Sequence, residues 1–170
     1  MCIFNIFKRK KDIPIQPLNN ITEALLAVPY KRAIGENWCL PASAQMILAY
    51  YKENIAQSII ASRVVINRKP STFRLLSYAK ELGYDAEWRP KTIAEIEEYL
   101  RQGIPLIVIQ KYSNTLPYEH SRVIFGFDSV KQELTLHDPS GKNNYKISYK
   151  VFFNLGFNTS KSSQIVILRK

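Results

Sequence analysis

The feature of this sequence that most constrains its fold is a change of hydrophobic period near Gly103. Before that residue, apolar side chains recur at helical spacing, as in Ala44, Ile47, Leu48 and Tyr51, which fall at i, i+3, i+4 and i+7. After it, short runs rich in branched residues are separated by turn residues, a pattern typical of strands. Helices followed by strands predict an α+β fold, in which a mainly antiparallel sheet packs against helices.

The limits of several elements can be predicted from local signals. The first helix begins near Cys39, because Pro41 is tolerated only in a first turn. The last of four helices has the clearest limits, since Thr92 and Glu95 form a capping box and Gly103 follows its end. Two further helices are indicated at 56–64 and 71–82. Strands are predicted at 104–110, 123–127, 133–136, 145–149 and 163–168, with a short helix at 151–155.

Length and composition indicate a globular chain. With 170 residues, of which 46% are hydrophobic and 22% charged, the chain has the composition of a folded domain and not of a disordered one. We expect a basic extended arm at 1–20 and one domain at 21–170. Four basic residues follow a short apolar stretch instead of preceding a long one, so the start does not resemble a secretory signal and a cytoplasmic location is expected. They are Lys8, Arg9, Lys10 and Lys11.

The counts of cysteine and histidine argue against metal chemistry. Cys2 and Cys39 cannot form a disulfide framework, and the two histidines, His120 and His137, do not combine with them at the usual zinc spacing. No run of residues approaches the length of a membrane span. The sequence therefore predicts neither a metal, nor a cofactor, nor a transmembrane segment.

Three residues are candidates for nucleophilic chemistry. Cys39 is placed at the start of a helix, where the unpaired amide groups favour a thiolate. His120 precedes an apolar strand, a position at which a rigid element can hold a catalytic base. Asp138 ends the next predicted strand, so a hairpin through 129–132 would bring it close to His120, where a carboxylate can orient the imidazole.

Each of these residues also has an ordinary structural explanation when taken alone. Free cysteine is among the most often buried residues, and a histidine at a strand entry is commonly a surface or capping residue. The sequence Asp-Pro-Ser-Gly at 138–141 is a common turn. His137 is adjacent to Asp138 on the strand, so we expect it to face outward, away from the site, and assign it no function. The combination of all three residues favours catalysis.

The sequence resembles a known family in two blocks. The first is Asn-Trp-Cys-Leu-Pro-Ala-Ser-Ala-Gln-Met-Ile-Leu-Ala-Tyr-Tyr at 37–51, and the second contains His120, the run 123–128 and the segment 134–139. Both are similar to papain-like cysteine peptidases of the small bacterial group related to bacteriocin-processing, double-glycine peptidases. The resemblance implies a papain-like fold in which Cys39 is the nucleophile, His120 the general base and acid, and Asp138 the orienting acid.

One departure from the family bears on activity. The family places a glutamine about six residues before the cysteine to help bind the oxyanion, whereas residue 33 here is alanine. Asn37 is the nearest amide side chain and is our candidate for that role, although it is also suited to capping the helix. Losing an oxyanion donor costs about 10²–10³ in rate. The glycine usual after the cysteine is replaced by Leu40.

These observations predict a thiol-dependent hydrolase acting on a peptide or protein substrate through a thioester. Two alternatives remain open at this stage. The first is a degenerate peptidase-like module that binds peptides without cleaving them, which the missing glutamine favours. The second is a basic binder of nucleic acid or anionic membranes, for which the net charge of +10 and the basic residues Arg63, Arg68, Lys69 and Arg74 are the argument. No nucleic-acid-binding motif supports the second alternative, so only weak attraction to anionic surfaces is expected.

Overall fold

The computed structural model describes residues 21–157 and 163–170. The predictions for the arm at 1–20 and for Cys2 therefore lie outside the described residues. The helices of the described part are α1 (Cys39–Tyr50), α2 (Gln57–Val64), α3 (Thr72–Glu81), α4 (Ile93–Arg101) and α5 (Tyr149–Asn154). Its strands are β1 (Glu23–Leu25), β2 (Val65–Ile66), β3 (Lys69–Pro70), β4 (Asp85–Lys91), β5 (Leu106–Lys111), β6 (Glu119–Asp128), β7 (Glu133–Asp138), β8 (Lys142–Ser148) and β9 (Ser163–Arg169).

Seven of these strands form one antiparallel sheet in the order β4-β9-β5-β6-β7-β8, with β1 paired to β6. The other two strands, β2 and β3, have two residues each and form a separate antiparallel hairpin between α2 and α3. The prediction of an α+β fold with a mainly antiparallel sheet is confirmed. The predicted hairpin of β6 and β7 also forms, and it places His120 and Asp138 at the same end of the sheet.

Helices cover both faces of the central strands. In β5, Ile107 and Ile109 pack in a core with α1, α2 and α3, whereas Leu106 and Val108 pack in a second core with α4 and α5. A strand covered on both faces is apolar at nearly every position, which explains why these strands appear in the sequence as continuous apolar runs. It also means that a side chain turned away from one core enters the other.

The predicted ends of the helices agree with their caps. Ser71 caps α3 by accepting a hydrogen bond from the backbone of Arg74, and Thr92 and Glu95 form the capping box of α4. The predicted strand at 145–149 ends one residue earlier, because Ser148 caps α5 and Tyr149 is the first residue of that helix. Four strands, β1 to β4, were not predicted.

Candidate active site

Cys39 is the first residue of α1 and lies half-buried where this helix meets the sheet. The N-cap residue is Trp38, and it makes no side-chain capping bond. Trp38 folds back over the preceding turn and packs against Gly35. A Cβ at residue 35 would lie 2.4 Å from the indole ring, so only glycine leaves room for it. The first N–H groups of α1 are therefore left to act on the sulfur, and the first turn contains no acidic residue.

Asn37 precedes the helix in a left-handed conformation, with φ of 59°. Its side-chain amide donates a hydrogen bond to the carbonyl oxygen of Arg68, at 3.2 Å. Asn37 therefore does not cap α1, which was the alternative to its oxyanion role, because its side chain extends across to the hairpin of β2 and β3. Asn37 nevertheless lines the same cleft as Cys39.

His120 is the second residue of β6 and is almost fully buried. Its Nε2 lies 2.8 Å from Oδ1 of Asp138, the last residue of β7. Hydrogen bonding to His120 and the charge of its ring overcome the effect of burial and hold the pKa of the Asp138 carboxyl far below its usual range. An ionised Asp138 accepts from the Nε2–H group, so Nδ1 is the ring nitrogen left for the thiol.

Cys39 and His120 line the same cleft, and each shifts the pKa of the other. Burial acts to raise the pKa of Cys39, but the bond to His120, the charge of the imidazolium and bonds to Ser121 lower it below its ordinary value. Burial acts to lower the pKa of His120, but Asp138 and Cys39 raise it above its ordinary value. The opposite shifts of the two pKa values favour the thiolate–imidazolium pair.

Arg122, which sequence reasoning missed, is the second side chain that binds the carboxylate of Asp138. Its Nε donates to Oδ2 of Asp138 at 2.9 Å, and both side chains are buried. The rest of the guanidinium donates to the carbonyl oxygens of Lys111 and Tyr112. A signal was present in the sequence, because an arginine inside an apolar strand, two residues after a candidate histidine, needs a buried acidic partner.

The turn after β7 fixes the acid from the other side. The backbone N–H of Ser140 donates to Oδ1 of Asp138 at 2.8 Å, and Gly141 closes the turn onto the carbonyl of Asp138. The hydroxyl of Tyr30 donates to that same carbonyl oxygen at 3.1 Å. The turn predicted at 138–141 is therefore present, and its aspartate also contacts His120.

A cleft of about 210 Å³ opens above the sulfur. It runs between the hairpin of β2 and β3 on one side and the start of β6 on the other. An aromatic wall continues from it, since Tyr112 meets the His120 ring edge-on at 5.0 Å and Tyr118 stacks on Tyr112. The cleft is lined by Asn37, Cys39, Leu40, Lys69, Pro70, Thr72, Ile109, Glu119, His120 and Ser121.

His137 does not face outward as predicted, since its exposed fraction is 3%. Its ring stacks on Phe125, its Nε2 donates to the carbonyl of Val28 at 3.0 Å, and its Nδ1 accepts from the backbone of Asn144 at 3.1 Å. The prediction was wrong because both faces of the sheet are covered, so turning away from Asp138 leads into the first core.

The described part of the chain shows neither a group of metal ligands nor a membrane-spanning helix. Within 21–157 and 163–170, no three His, Cys, Asp or Glu side chains are grouped so that they could hold a metal ion. In those same ranges, the helices are all too short or too polar to cross a membrane.

Solved structures share this fold. A protein described as a C39-like peptidase from Bacillus anthracis has a TM-score of 0.67 and 17% identity, over 87% of this chain and 98% of its own. The peptidase domain of Streptococcus ComA, a bifunctional ABC transporter, has a TM-score of 0.67 and 18% identity, over 83% and 98%. A double glycine motif protease from an AMS/PCAT transporter, solved with its leader peptide, has a TM-score of 0.65 and 22% identity, over 85% and 93%.

At these identities the likeness establishes the fold, which is that of papain-like C39 peptidases. Comparison with curated protein sequences gives no significant match. The model of the Peptidase_C39 like family matches residues 25–164, which is most of the chain. This chain therefore belongs to the C39-like peptidase family.

Proposed function

We propose that this chain is a cysteine peptidase or amidase that cleaves a peptide or amide bond through a thioester on Cys39. Membership of the C39-like family supports a cysteine peptidase-type function. The observation that carries the finer proposal is that Cys39, at the start of α1, shares one cleft with His120, whose Nε2 lies 2.8 Å from Oδ1 of Asp138. A nucleophile, a base and a group that orients the base are what acyl transfer requires.

The reaction begins with the thiolate–imidazolium pair. The Cys39 sulfur attacks the carbonyl carbon, and the oxygen takes up the negative charge. His120 then gives its Nδ1 proton to the leaving amine, and the C–N bond breaks to leave a thioester. Water attacks the thioester as His120 removes its proton, which releases the acid and restores the thiol group. Asp138 holds the imidazole in one orientation through both steps.

The oxyanion formed in this reaction needs donors. The backbone N–H of Cys39 at the helix start is the first. Asn37 is proposed as the second, because an amide NH₂ group has two hydrogens and the bond to the carbonyl of Arg68 uses one of them. That bond also restricts the amide to one orientation beside the cleft, as expected of a preorganised donor.

A peptide is the proposed substrate. The similar double glycine motif protease was solved in complex with the leader peptide, and the cleft of this chain opens at the surface beside the sulfur of Cys39. The proposal also retains a catalytic domain at 21–170 and an arm at 1–20, as the sequence predicts.

Alkylation of the thiol tests the catalytic part of the proposal. In a Cys2→Ser background Cys39 is the single thiol of the chain, so its reaction with iodoacetamide can be followed by mass spectrometry from pH 4 to pH 9. We expect rapid alkylation at pH 6, and we expect His120→Ala to slow it at least tenfold, because the thiolate loses its ion-pair partner. An ordinary thiol profile in the parent chain, or no effect of His120→Ala, would contradict the proposal and favour a binding module.

Cleavage itself is tested with a degenerate peptide library. New termini should appear with the parent chain and be absent with Cys39→Ala, which preserves the helix start but removes the nucleophile. A library that stays intact while Cys39 is strongly reactive would limit the chain to peptide binding or to non-peptide amides.

A further inference from the structure

Two hydroxyl groups are buried together where α1 packs on β6. Ser43 and Ser121 have exposed fractions of 0% and 1%, and their Oγ atoms lie 3.3 Å apart. Ala42 and Ala44, which flank Ser43, and Val123, two residues after Ser121 on β6, are apolar and equally buried. Burying a hydroxyl costs free energy even when it finds a partner, so packing alone gives no reason for a serine pair here.

Both serines lie next to the nucleophile. Ser43 follows Cys39 by four residues and is therefore on the same face of α1, one turn further along. Ser121 is the neighbour of His120 and lines the cleft together with Cys39. Although burial acts to raise the pKa of the Cys39 thiol, hydrogen bonding from His120 and from the hydroxyl and backbone N–H of Ser121 lowers it.

We propose that Ser121 is a positioning residue for the nucleophile, which holds the Cys39 sulfur as a thiolate through its hydroxyl and its backbone N–H, while Ser43 keeps that hydroxyl directed at the sulfur. The order of donation is fixed by the charge: Ser43 donates to Ser121 and Ser121 donates to the thiolate. No proton leaves either serine. This inference rests on the proposed function, because it concerns the nucleophile of that reaction.

The charged and titratable groups around the Cys39 sulfur differ from the two serines in charge or in burial. His120 faces it from β6, with Asp138 behind the ring on β7. Burial raises the pKa of the Tyr118 phenol, and the charges of Tyr112, Asp138 and the Cys39 thiolate add to that effect. Lys69 on the hairpin and Glu119 on β6 line the cleft and are both exposed, so solvent screens them. The serines differ from all of these groups because they are neutral and buried.

The arrangement has a consequence that depends on pH. A hydrogen bond stabilises the thiolate but gains little from a thioester sulfur, which carries no charge. The serines therefore extend the reactive state of Cys39 toward acid pH and do not accelerate attack once the thiolate is fully formed. Removing them should matter most at pH 5 and hardly at pH 9.

The test uses iodoacetamide alkylation of the Cys2→Ser chain at pH 5 and pH 9. We expect Ser121→Ala to slow alkylation about tenfold at pH 5, because a hydrogen bond to a charged group contributes about that factor, and to change it less than twofold at pH 9. Ser43→Ala should act in the same direction but more weakly, and Ser121→Thr, which keeps a hydroxyl, should restore most of the rate. Ser62→Ala is the matched control, since that exposed hydroxyl bonds only a helix carbonyl.

The outcomes separate this inference from the proposed function. Alkylation at pH 5 that is unchanged in both Ser121→Ala and Ser43→Ala overturns the inference, even if His120→Ala remains slow. Equal slowing at pH 5 and pH 9 also overturns it, because that result indicates altered access to the sulfur. Ser43→Ala introduces a good helix former between two alanines, so it keeps the test decisive if Ser121→Ala does not fold.

Discussion

Arg122 and His120, two residues apart on β6, bind the two oxygens of a single carboxylate. His120 Nε2 lies 2.8 Å from Oδ1 of Asp138, and Arg122 Nε donates to Oδ2 at 2.9 Å. The guanidinium is held in turn by two backbone carbonyls at the end of β5. The acid is therefore fixed in position and in charge by a cation other than the imidazolium, and it stays ionised when His120 loses its proton.

Removal of this arginine should destabilise the fold. In Arg122→Met, Asp138 keeps a buried charge with one partner fewer, so we expect a loss of about 3–5 kcal/mol in the free energy of unfolding. Urea denaturation followed by circular dichroism measures it. Arg63→Met is the matched control, because Arg63 pairs with Glu81 on the surface and such pairs contribute less than about 1 kcal/mol. Equal losses in the two variants would show that the buried pair does not stabilise the fold.

Asp138→Asn should shift the alkaline limb of the activity profile. Although burial acts to lower the pKa of His120, Asp138 raises it above the ordinary value, so the imidazolium that protonates the leaving amine persists to higher pH. Without the carboxylate this pKa falls, and activity should decline at a lower pH. We also expect kcat/KM to fall by about 10²–10⁴, since general acid–base catalysis contributes that much.

The measurement is kcat/KM from pH 5 to pH 9 with a peptide that the parent chain cleaves. An alkaline limb that stays in place in Asp138→Asn would mean that Asp138 does not control the protonation of His120. Circular dichroism of the variant serves as the control for folding, because the thiol of an unfolded chain would also be alkylated.

Local signals were enough to predict the elements that carry the site. The start of α1 follows from Pro41, and the pairing of β6 with β7 follows from two apolar runs separated by a short turn. Both are determined by residues close in sequence. The placement of Cys39 and His120 in one cleft depends on packing between α1 and β6, which local signals do not determine, so its prediction relied on the combination of residue types and on the resemblance to a family.

Other features lack a local signal. Strand β4 contains charged residues and Pro90, and it lies at the edge of the sheet, where such residues are tolerated. Strands β2 and β3 have two residues each, too few for a period to be seen. The burial of His137 depends on helices on both faces of the sheet, a tertiary property that alternation along one strand does not reveal.

Replacement of Asn37 should separate hydrolysis from thiol reactivity. Asn37→Gly removes the side-chain amide and tolerates the left-handed backbone at this position. If the amide binds the oxyanion, kcat for peptide cleavage should fall about 10²–10³-fold. Alkylation by iodoacetamide forms no oxyanion, so its rate should stay within about twofold. Parallel losses in both reactions would indicate a disturbed helix start and would contradict the oxyanion role of Asn37.

The last prediction concerns His137 and the dependence of stability on pH. Burial lowers the pKa of His137 in the folded chain, against the opposing effect of the Val28 carbonyl, and its neutral ring accepts from Asn144. A base whose pKa is lower in the folded state stabilises the fold fully above the unfolded pKa of about 6.5 and loses that contribution as pH falls through the folded value. The raised pKa of His120 acts in the opposite direction, with a contribution that is lost as pH rises.

The two effects are separated by His137→Gln, which keeps a side-chain donor for Val28 but does not titrate. Between pH 5 and pH 7 the free energy of unfolding should rise more in the parent chain than in this variant. At pH 5 the exposed His137 of the unfolded parent takes up a proton, which favours the unfolded state, whereas at pH 7 it does so much less; the variant has no such group. Urea denaturation at both pH values measures the difference, and both lie above the range in which carboxylates titrate. An identical change in the two chains would mean that folding does not lower the pKa of His137.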